Sequence, residues 1–290
     1  MNYVIKNECY EAVVSDLGAE LISVKNTKGF EFLWQNNADF WDSHAPILFP
    51  VCGRLKDKGY SYNGTKYEMN SHGFARDMIF TVIETTESSI SLALASNEQT
   101  KKIYPFDFEL IATYALVGDR LNFIFTVKNC DTGTLPYMFG WHPGFNLPTD
   151  DSIDINDYKL YLGVNKLAWC KLQNGPFASP DRTPYELTSG FYPLSEREIY
   201  DNDTMIFEGH NNFANLSAGG SFSVLMDWSD NLPELCIWKE NSSDAKFLCI
   251  EPWTSLPGDG VTDEDFNTRA MPRLAPNESE TFTYSLKMKA

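Results

Sequence analysis

The chain contains four histidines, few enough for the surroundings of each to be weighed singly. His72 lies in Asn70-Ser71-His72-Gly73-Phe74-Ala75-Arg76, and His142 in Phe139-Gly140-Trp141-His142-Pro143-Gly144-Phe145. In both segments glycine lets the backbone approach a ligand closely, and aromatic rings offer an apolar face. An imidazole can give or take a proton near neutral pH, although the same composition also suits a buried, hydrogen-bonded histidine in a turn. His44, and His210 in the polar run Glu208-Gly209-His210-Asn211-Asn212, read as structural or solvated.

A carboxylate and an arginine occupy comparable positions. Glu251 ends the apolar run Phe247-Leu248-Cys249-Ile250 and enters Pro252-Trp253-Thr254-Ser255-Leu256-Pro257-Gly258. It is either a working acid/base group or half of a buried ion pair, with Arg54 or Arg76 as partner. Arg54 closes Phe49-Pro50-Val51-Cys52-Gly53-Arg54, where its planar fork can grip hydroxyls or carboxylates, or make a plain ion pair. Histidines, a carboxylate and arginines at strand ends, flanked by Trp141 and Trp253, describe a pocket for a neutral polyhydroxylated ring. Aromatic faces pack on its C–H faces while charged groups hold its hydroxyls. A metal site of His72, His142 and Glu251 is the competing chemistry, but these residues lack the one-turn pairing of helical zinc sites, so no metal and no cofactor are expected.

Period-two alternation dominates the elements that must position these residues. Ile90, Leu92 and Leu94 mark one strand; Phe108, Leu110, Ala112, Tyr114 and Leu116 mark another. Gly118-Asp119 turns the latter into a strand through Leu121, Phe123, Phe125 and Val127. Phe282, Tyr284, Leu286 and Met288 close the chain. Further short strands are expected at 4–6, 12–14, 21–25, 32–34, 66–69, 78–83, 160–164, 221–226 and 235–238. Only 38–43 and 194–200 could form a few helical turns, and about 150–203 reads as extended loops serving a site. Many short strands joined by polar, Gly- and Pro-bearing connections argue for an all-β sandwich, a single domain over residues 1–290.

Composition narrows the partners. The net charge of −17 repels nucleic acid and anionic membranes. No apolar run approaches a membrane span and the N-terminus lacks a basic, then apolar, leader, so a cytoplasmic protein is expected. Six scattered cysteines without a C-x-x-C pair read as free thiols.

From the block Gly53-Arg54-Leu55 through Asn70-Ser71-His72-Gly73-Phe74-Ala75-Arg76, by way of Gly140-Trp141-His142-Pro143-Gly144-Phe145, to Ile250-Glu251-Pro252-Trp253, the chain resembles the aldose 1-epimerase (galactose mutarotase) family. It is similar above all to small bacterial members associated with lactose and galactose gene clusters. The resemblance implies a large antiparallel β-sandwich, monomeric or weakly dimeric, acting on a small-molecule sugar. It implies His142 as general acid, Glu251 as general base, and His72 as the group that polarises the ring oxygen. Arg54 and Asp203 would bind sugar hydroxyls. Cys236 stands where better-known members carry a glutamine. Arg76 and Arg54 together leave a hexose 6-phosphate open as substrate, and a carbohydrate-binding protein without turnover is the alternative outside enzymes.

Overall fold

The Phe108–Val117 strand buries every second side chain, and Arg120–Asn129 does the same in antiparallel register, Phe123 opposite Tyr114 and Phe125 opposite Ala112. A strand that is apolar on one face must bury that face against another layer. The computed structural model, which describes residues 1–148, 157–192, 194, 204–240 and 245–290, shows how. A nine-stranded antiparallel sheet runs from Phe191–Tyr192 at one edge to Thr81–Thr85 at the other, with Ser279–Lys289 and Arg120–Asn129 near its middle. An eight-stranded antiparallel sheet runs Thr183–Glu186, Lys166–Cys170, Thr204–Glu208, Glu234–Trp238, Phe247–Trp253, Gly140–Trp141, Ile47–Leu48, with Gly144–Asn146 also paired to Phe247–Trp253.

The two sheets meet through aromatic rings. Phe125 stacks on Phe139 at 4.3 Å between centroids, Phe139 on Phe282 at 4.6 Å, and Trp141 meets Phe123 at 5.0 Å and Tyr284 at 5.2 Å. Each of these rings is essentially inaccessible to water, and burying one contributes roughly 1.5–3 kcal/mol. The fold is the expected all-β sandwich. No helix of the described residues is long and apolar enough to cross a membrane, and all six cysteines carry free thiols.

Several local expectations need correction. Residues 38–43 form no helix: Asn37 O accepts from the N–H of both Phe40 and Trp41, closing a tight turn with an Asn37–Trp41 bridge. Of the companion segment 194–200, only Leu194 lies within the described residues. A single turn of helix, Thr100–Ile103, occurs where none was expected, its first N–H groups held by Asn97 Oδ1. Residues 32–34 form no strand; Leu33 alone makes an isolated bridge, to Phe145. The stretch 150–203 is not loop alone beyond the strand expected at 160–164, which forms as Lys159–Tyr161 in the larger sheet; its described part also contributes Phe191–Tyr192 to that sheet and Lys166–Cys170 and Thr183–Glu186 to the smaller. Strands of two to five residues are too short for alternation to declare itself, and Pro184 disguises one that lies at a sheet edge.

Candidate active site

Every residue of Phe247–Trp253 is buried, because both faces of this strand are covered. Leu248 and Ile250 point into the core between the sheets, while Phe247 and Cys249 join Trp34, Phe40, Trp41 and Trp238 on the far side. Period two then puts Glu251 and Trp253 on that far side as well. The neighbouring strand repeats the pattern. Leu235 and Ile237 face the core, and Cys236, opposite Glu251 in the ladder, faces the site. A cavity of about 350 Å³ opens there, lined among others by Trp41, Arg54, His72, Arg76, His142, Cys236, Trp238, Glu251 and Trp253.

His142 leaves the Gly140–Trp141 strand with its N–H on Pro46 O at 3.0 Å. Its ring is clamped between Trp41, 4.9 Å away, and Trp238, 5.6 Å away. Its Nε2 lies 3.2 Å from Glu251 Oε2, so two residues remote in sequence form one contact on the cavity floor. Glu251 is fully buried. Burial pushes its carboxyl well above the usual carboxylate range, and Trp253 and Cys236 pull it down only in part. Burial also drives His142 well below the ordinary imidazole range, with His72 adding to the effect. Each charge alone is penalised, but a pair sharing one proton is neutral as a unit.

His72 sits in the left-handed region, φ +64°, and its imidazole is held from below, since Gly53 N–H donates to Nδ1 at 3.2 Å. That bond places the proton of the neutral ring on Nε2, leaving a donor for the cavity. Burial first, then the charges of Arg76 and Arg54, press its pKa down to about 3, so it stays neutral. Gly73, φ +76°, permits this turn: a Cβ there would stand 2.0 Å from Phe49 O. Gly140 serves Trp253 in the same way, a Cβ falling 2.4 Å from its Cδ1.

Arg54 and Arg76 line the cavity, and neither meets a carboxylate among the described residues; Arg76 Nη2 donates to Ser71 O at 3.3 Å. Glu251 is thus partnered by His142 and not by an arginine. Trp141, expected against a ligand, instead points into the core, its Nε1–H donating to Ala45 O at 2.9 Å. Adjacent residues of a strand face opposite ways, so His142 and Trp141 cannot share the cavity. Asp203 lies outside the described residues. His44 and His210 stand elsewhere: His44 beside Glu20, His210 with both ring nitrogens against the carbonyls of Asn211 and Pro233. Sequence reasoning missed Trp41 and Trp238, which wall the cavity; the two-residue spacing of Trp238 from Cys236 was the available signal for the second. His142, Cys249 and Glu251 offer ligand atoms within 4.8 Å of one another and could hold a metal ion, but burial keeps the Cys249 thiol protonated, its pKa well above the ordinary value.

Relatives share this architecture. A galactose mutarotase related enzyme from Lactobacillus acidophilus superimposes with a TM-score of 0.92 at 32% identity, over 100% of this chain and 98% of that one. A galactose mutarotase-like protein from Lactobacillus casei does so with a TM-score of 0.89 at 27% identity, covering 99% and 100%. Protein LacX of Lactococcus lactis is 29% identical over 98% of this chain and 99% of its own. A putative glucose-6-phosphate 1-epimerase of Escherichia coli is 32% identical over 33% of each chain. The sequence profile of the aldose 1-epimerase family matches residues 1–287, and the chain belongs to that family.

Proposed function

We propose that the cavity takes a free hexose and that His142 and Glu251 interconvert its α and β anomers. Anomerisation needs a proton delivered to the ring oxygen and one withdrawn from the anomeric hydroxyl. Those two oxygens share one carbon, so the groups that address them must be neighbours. The observation that carries the reading is the 3.2 Å contact between His142 Nε2 and Glu251 Oε2 on the cavity floor.

The pair holds one proton. With water excluded it rests as a neutral imidazole and a carboxylic acid, and a sugar hydroxyl donating to Glu251 moves the proton to His142 without changing the total charge. His142 then protonates the ring oxygen as Glu251 accepts the hydroxyl proton, and the ring opens to the aldehyde. Rotation about C1–C2 presents the other carbonyl face, and reclosure with the roles exchanged gives the opposite anomer. His72, a neutral donor through Nε2–H, stabilises charge developing on oxygen, while Trp41, Trp238 and Trp253 supply the apolar walls.

Polarimetry on freshly dissolved α-glucose and α-galactose tests the reading. His142→Asn and Glu251→Gln should each lower kcat by about a hundredfold or more, since positioned proton transfer contributes on the order of 10² to 10⁴. Circular dichroism should be unchanged. A protein that binds sugar and leaves the spontaneous rate untouched is a binding module instead. The two guanidiniums, which meet no carboxylate among the described residues, favour one second reading, a hexose 6-phosphate substrate, which a kcat/KM at least tenfold higher for the 6-phosphates would establish.

A further inference from the structure

On the strand Phe247–Trp253, Cys249 and Glu251 stand two residues apart and so face the same side of the sheet. The neighbouring chain supplies a third group by register. Gly140 pairs with Trp253 and Gly144 with Cys249, so His142, midway between the glycines, stands across from Glu251. One ligand atom from each of His142, Cys249 and Glu251 then lies within 4.8 Å of the other two, and among the described residues no other three histidine, cysteine or carboxylate side chains converge in this way. All three are buried, and Nδ1 of His142 and Oε1 of Glu251 have no hydrogen-bond partner. Glu234 also carries an unpartnered oxygen, Oε2, but it belongs to no such triad. Buried polar atoms without partners cost stability unless something satisfies them.

We infer that His142, Cys249 and Glu251 bind a divalent ion of the zinc class, and that this ion reversibly stops turnover. The effect on turnover rests on the anomerisation proposed above; the binding does not. Donor chemistry selects the ion. Thiolate and imidazole suit zinc and cadmium, whereas magnesium and calcium prefer oxygen. Spacing agrees, because around tetrahedral zinc, with bonds of about 2.0–2.3 Å, ligand atoms stand roughly 3.3–3.6 Å apart. His142 Nε2 and Glu251 Oε2 are already 3.2 Å apart, and closing the 4.8 Å triad onto the ion asks for at most about 1 Å of movement. Charge balances as well. The ion displaces the thiol proton of Cys249 and the proton shared by His142 and Glu251, both of which pass to water, so two negative ligands neutralise the divalent ion and the buried site carries no net charge. A thiol that keeps its proton in the metal-free protein is deprotonated outright once it coordinates such an ion. The cavity lined by His142 and Glu251 is the way in and supplies water as the fourth ligand. With imidazole and carboxylate lone pairs engaged on the metal, the pair can neither deliver nor accept a proton.

Initial rates of α-glucose mutarotation on zinc-free protein, with zinc chloride or magnesium chloride added, test the inference in the wild type and in Cys249→Ala. Zinc in small molar excess should abolish wild-type turnover and excess EDTA should restore it, while magnesium has no effect. Cys249→Ala should keep its zinc-free kcat/KM within about twofold, since the thiol takes no part in proton transfer. Loss of an outer partner of a metal ligand costs about 10–100-fold in affinity, so loss of a ligand itself should raise the zinc needed for half-inhibition by at least about a hundredfold. Zinc that leaves the wild type active, inhibits Cys249→Ala equally, or is matched by magnesium would overturn the site. If no sugar is turned over, the acid/base reading fails and cobalt decides the site separately: a thiolate-to-cobalt charge-transfer band in the near ultraviolet of the wild type, lost in Cys249→Ala, supports it, and no band, or one that survives the substitution, removes it. Cys249→Ser, with a weaker oxygen donor in the same place, keeps the test available should Cys249→Ala fail to fold.

Discussion

Replacing Glu234 by glutamine should stabilise the protein by an amount that grows with pH. Burial raises its carboxyl from 4.5 to about 8, with the charge of Glu208 adding to the rise and Arg182 opposing it. In the unfolded chain the carboxyl ionises near 4.5, while in the folded chain it holds its proton to about 8. A folded pKa above the unfolded one means that the native state binds the proton more tightly, so its contribution is fully present below 4.5 and is lost as pH rises through 8. At about 1.4 kcal/mol per unit, the loss at pH 7 relative to pH 4.5 is roughly 3 kcal/mol, approaching about 5 kcal/mol above pH 8. Glutamine does not titrate and should be spared it. With an unfolding entropy of about 2.1 cal/mol/K per residue over 290 residues, 3 kcal/mol corresponds to roughly 5 °C in Tm. Thermal melts of both proteins from pH 5 to pH 9 should show a gap that is small at pH 5 and widens to about 5 °C by pH 7. A gap independent of pH would mean that Glu234 is ionised in the folded protein and would refute the reasoning.

On the proposed reading the pH dependence of kcat/KM should show a plateau bounded by one acid and one alkaline limb. The pair works with one proton, so its acid limb lies well below the ordinary histidine value and its alkaline limb well above the ordinary carboxylate value; a limb at pH 6.5 or at 4.5 would contradict the burial of either group. Trp141→Ala and Trp253→Ala should each cost about 3–5 kcal/mol in urea unfolding, as expected for buried aromatic rings, and only Trp253→Ala should also raise KM; a KM raised by Trp141→Ala alone would undo the placement of the two indoles. Gly140→Ala should force the Trp253 ring aside, its Cβ meeting Cδ1 at 2.4 Å, and cost about 1–3 kcal/mol together with a higher KM; an unchanged Tm and KM would show the indole free to yield. Chelation with EDTA should leave the rate unchanged, because on the proposed reading imidazole and carboxylate move the protons themselves; a stoichiometric metal whose removal abolishes turnover would assign His142, Cys249 and Glu251 to a metal instead.

Long strands were readable from the residues because alternation over ten positions leaves no second interpretation: 108–117 and 120–129 stand where Gly118-Asp119 placed their turn, and Gly118 adopts φ +56° there. Short strands were readable only in part: those expected at 4–6, 12–14, 21–25 and 235–238 formed, whereas 166–170, 183–186 and 204–208 were not anticipated. Phe247–Trp253 shows no alternation, since the sheet core covers one face and the tryptophan cluster the other, so its orientation emerges only from its neighbours. The same distinction governs the site. His72, His142 and Glu251 could be singled out because glycine and aromatic flanks are unusual around titratable groups. Trp141 was misplaced beside His142 because both belong to one motif, and sequence adjacency on a strand means opposite faces. Trp41 was hidden by a turn that residue patterning presented as a short helix. The unmatched oxygen of Glu234 had no signature in the residues, because satisfaction of a polar atom is a property of three-dimensional neighbours.

Glu251 rides on a strand of the smaller sheet and His142 directly follows the Gly140–Trp141 strand paired with it, whereas Arg54 and His72 reach the cavity from segments between strands and Arg76 from the short 3-10 helix Ala75–Asp77. On the proposed reading, the two proton-transferring groups and the two arginines that face a substrate are carried by separate parts of the molecule. Loop grafts or insertions around 53–58 and 70–77 should retune which sugars enter without dismantling the proton relay. A directed-evolution campaign confined to those segments would be expected to shift preference among hexoses while preserving turnover on the best of them.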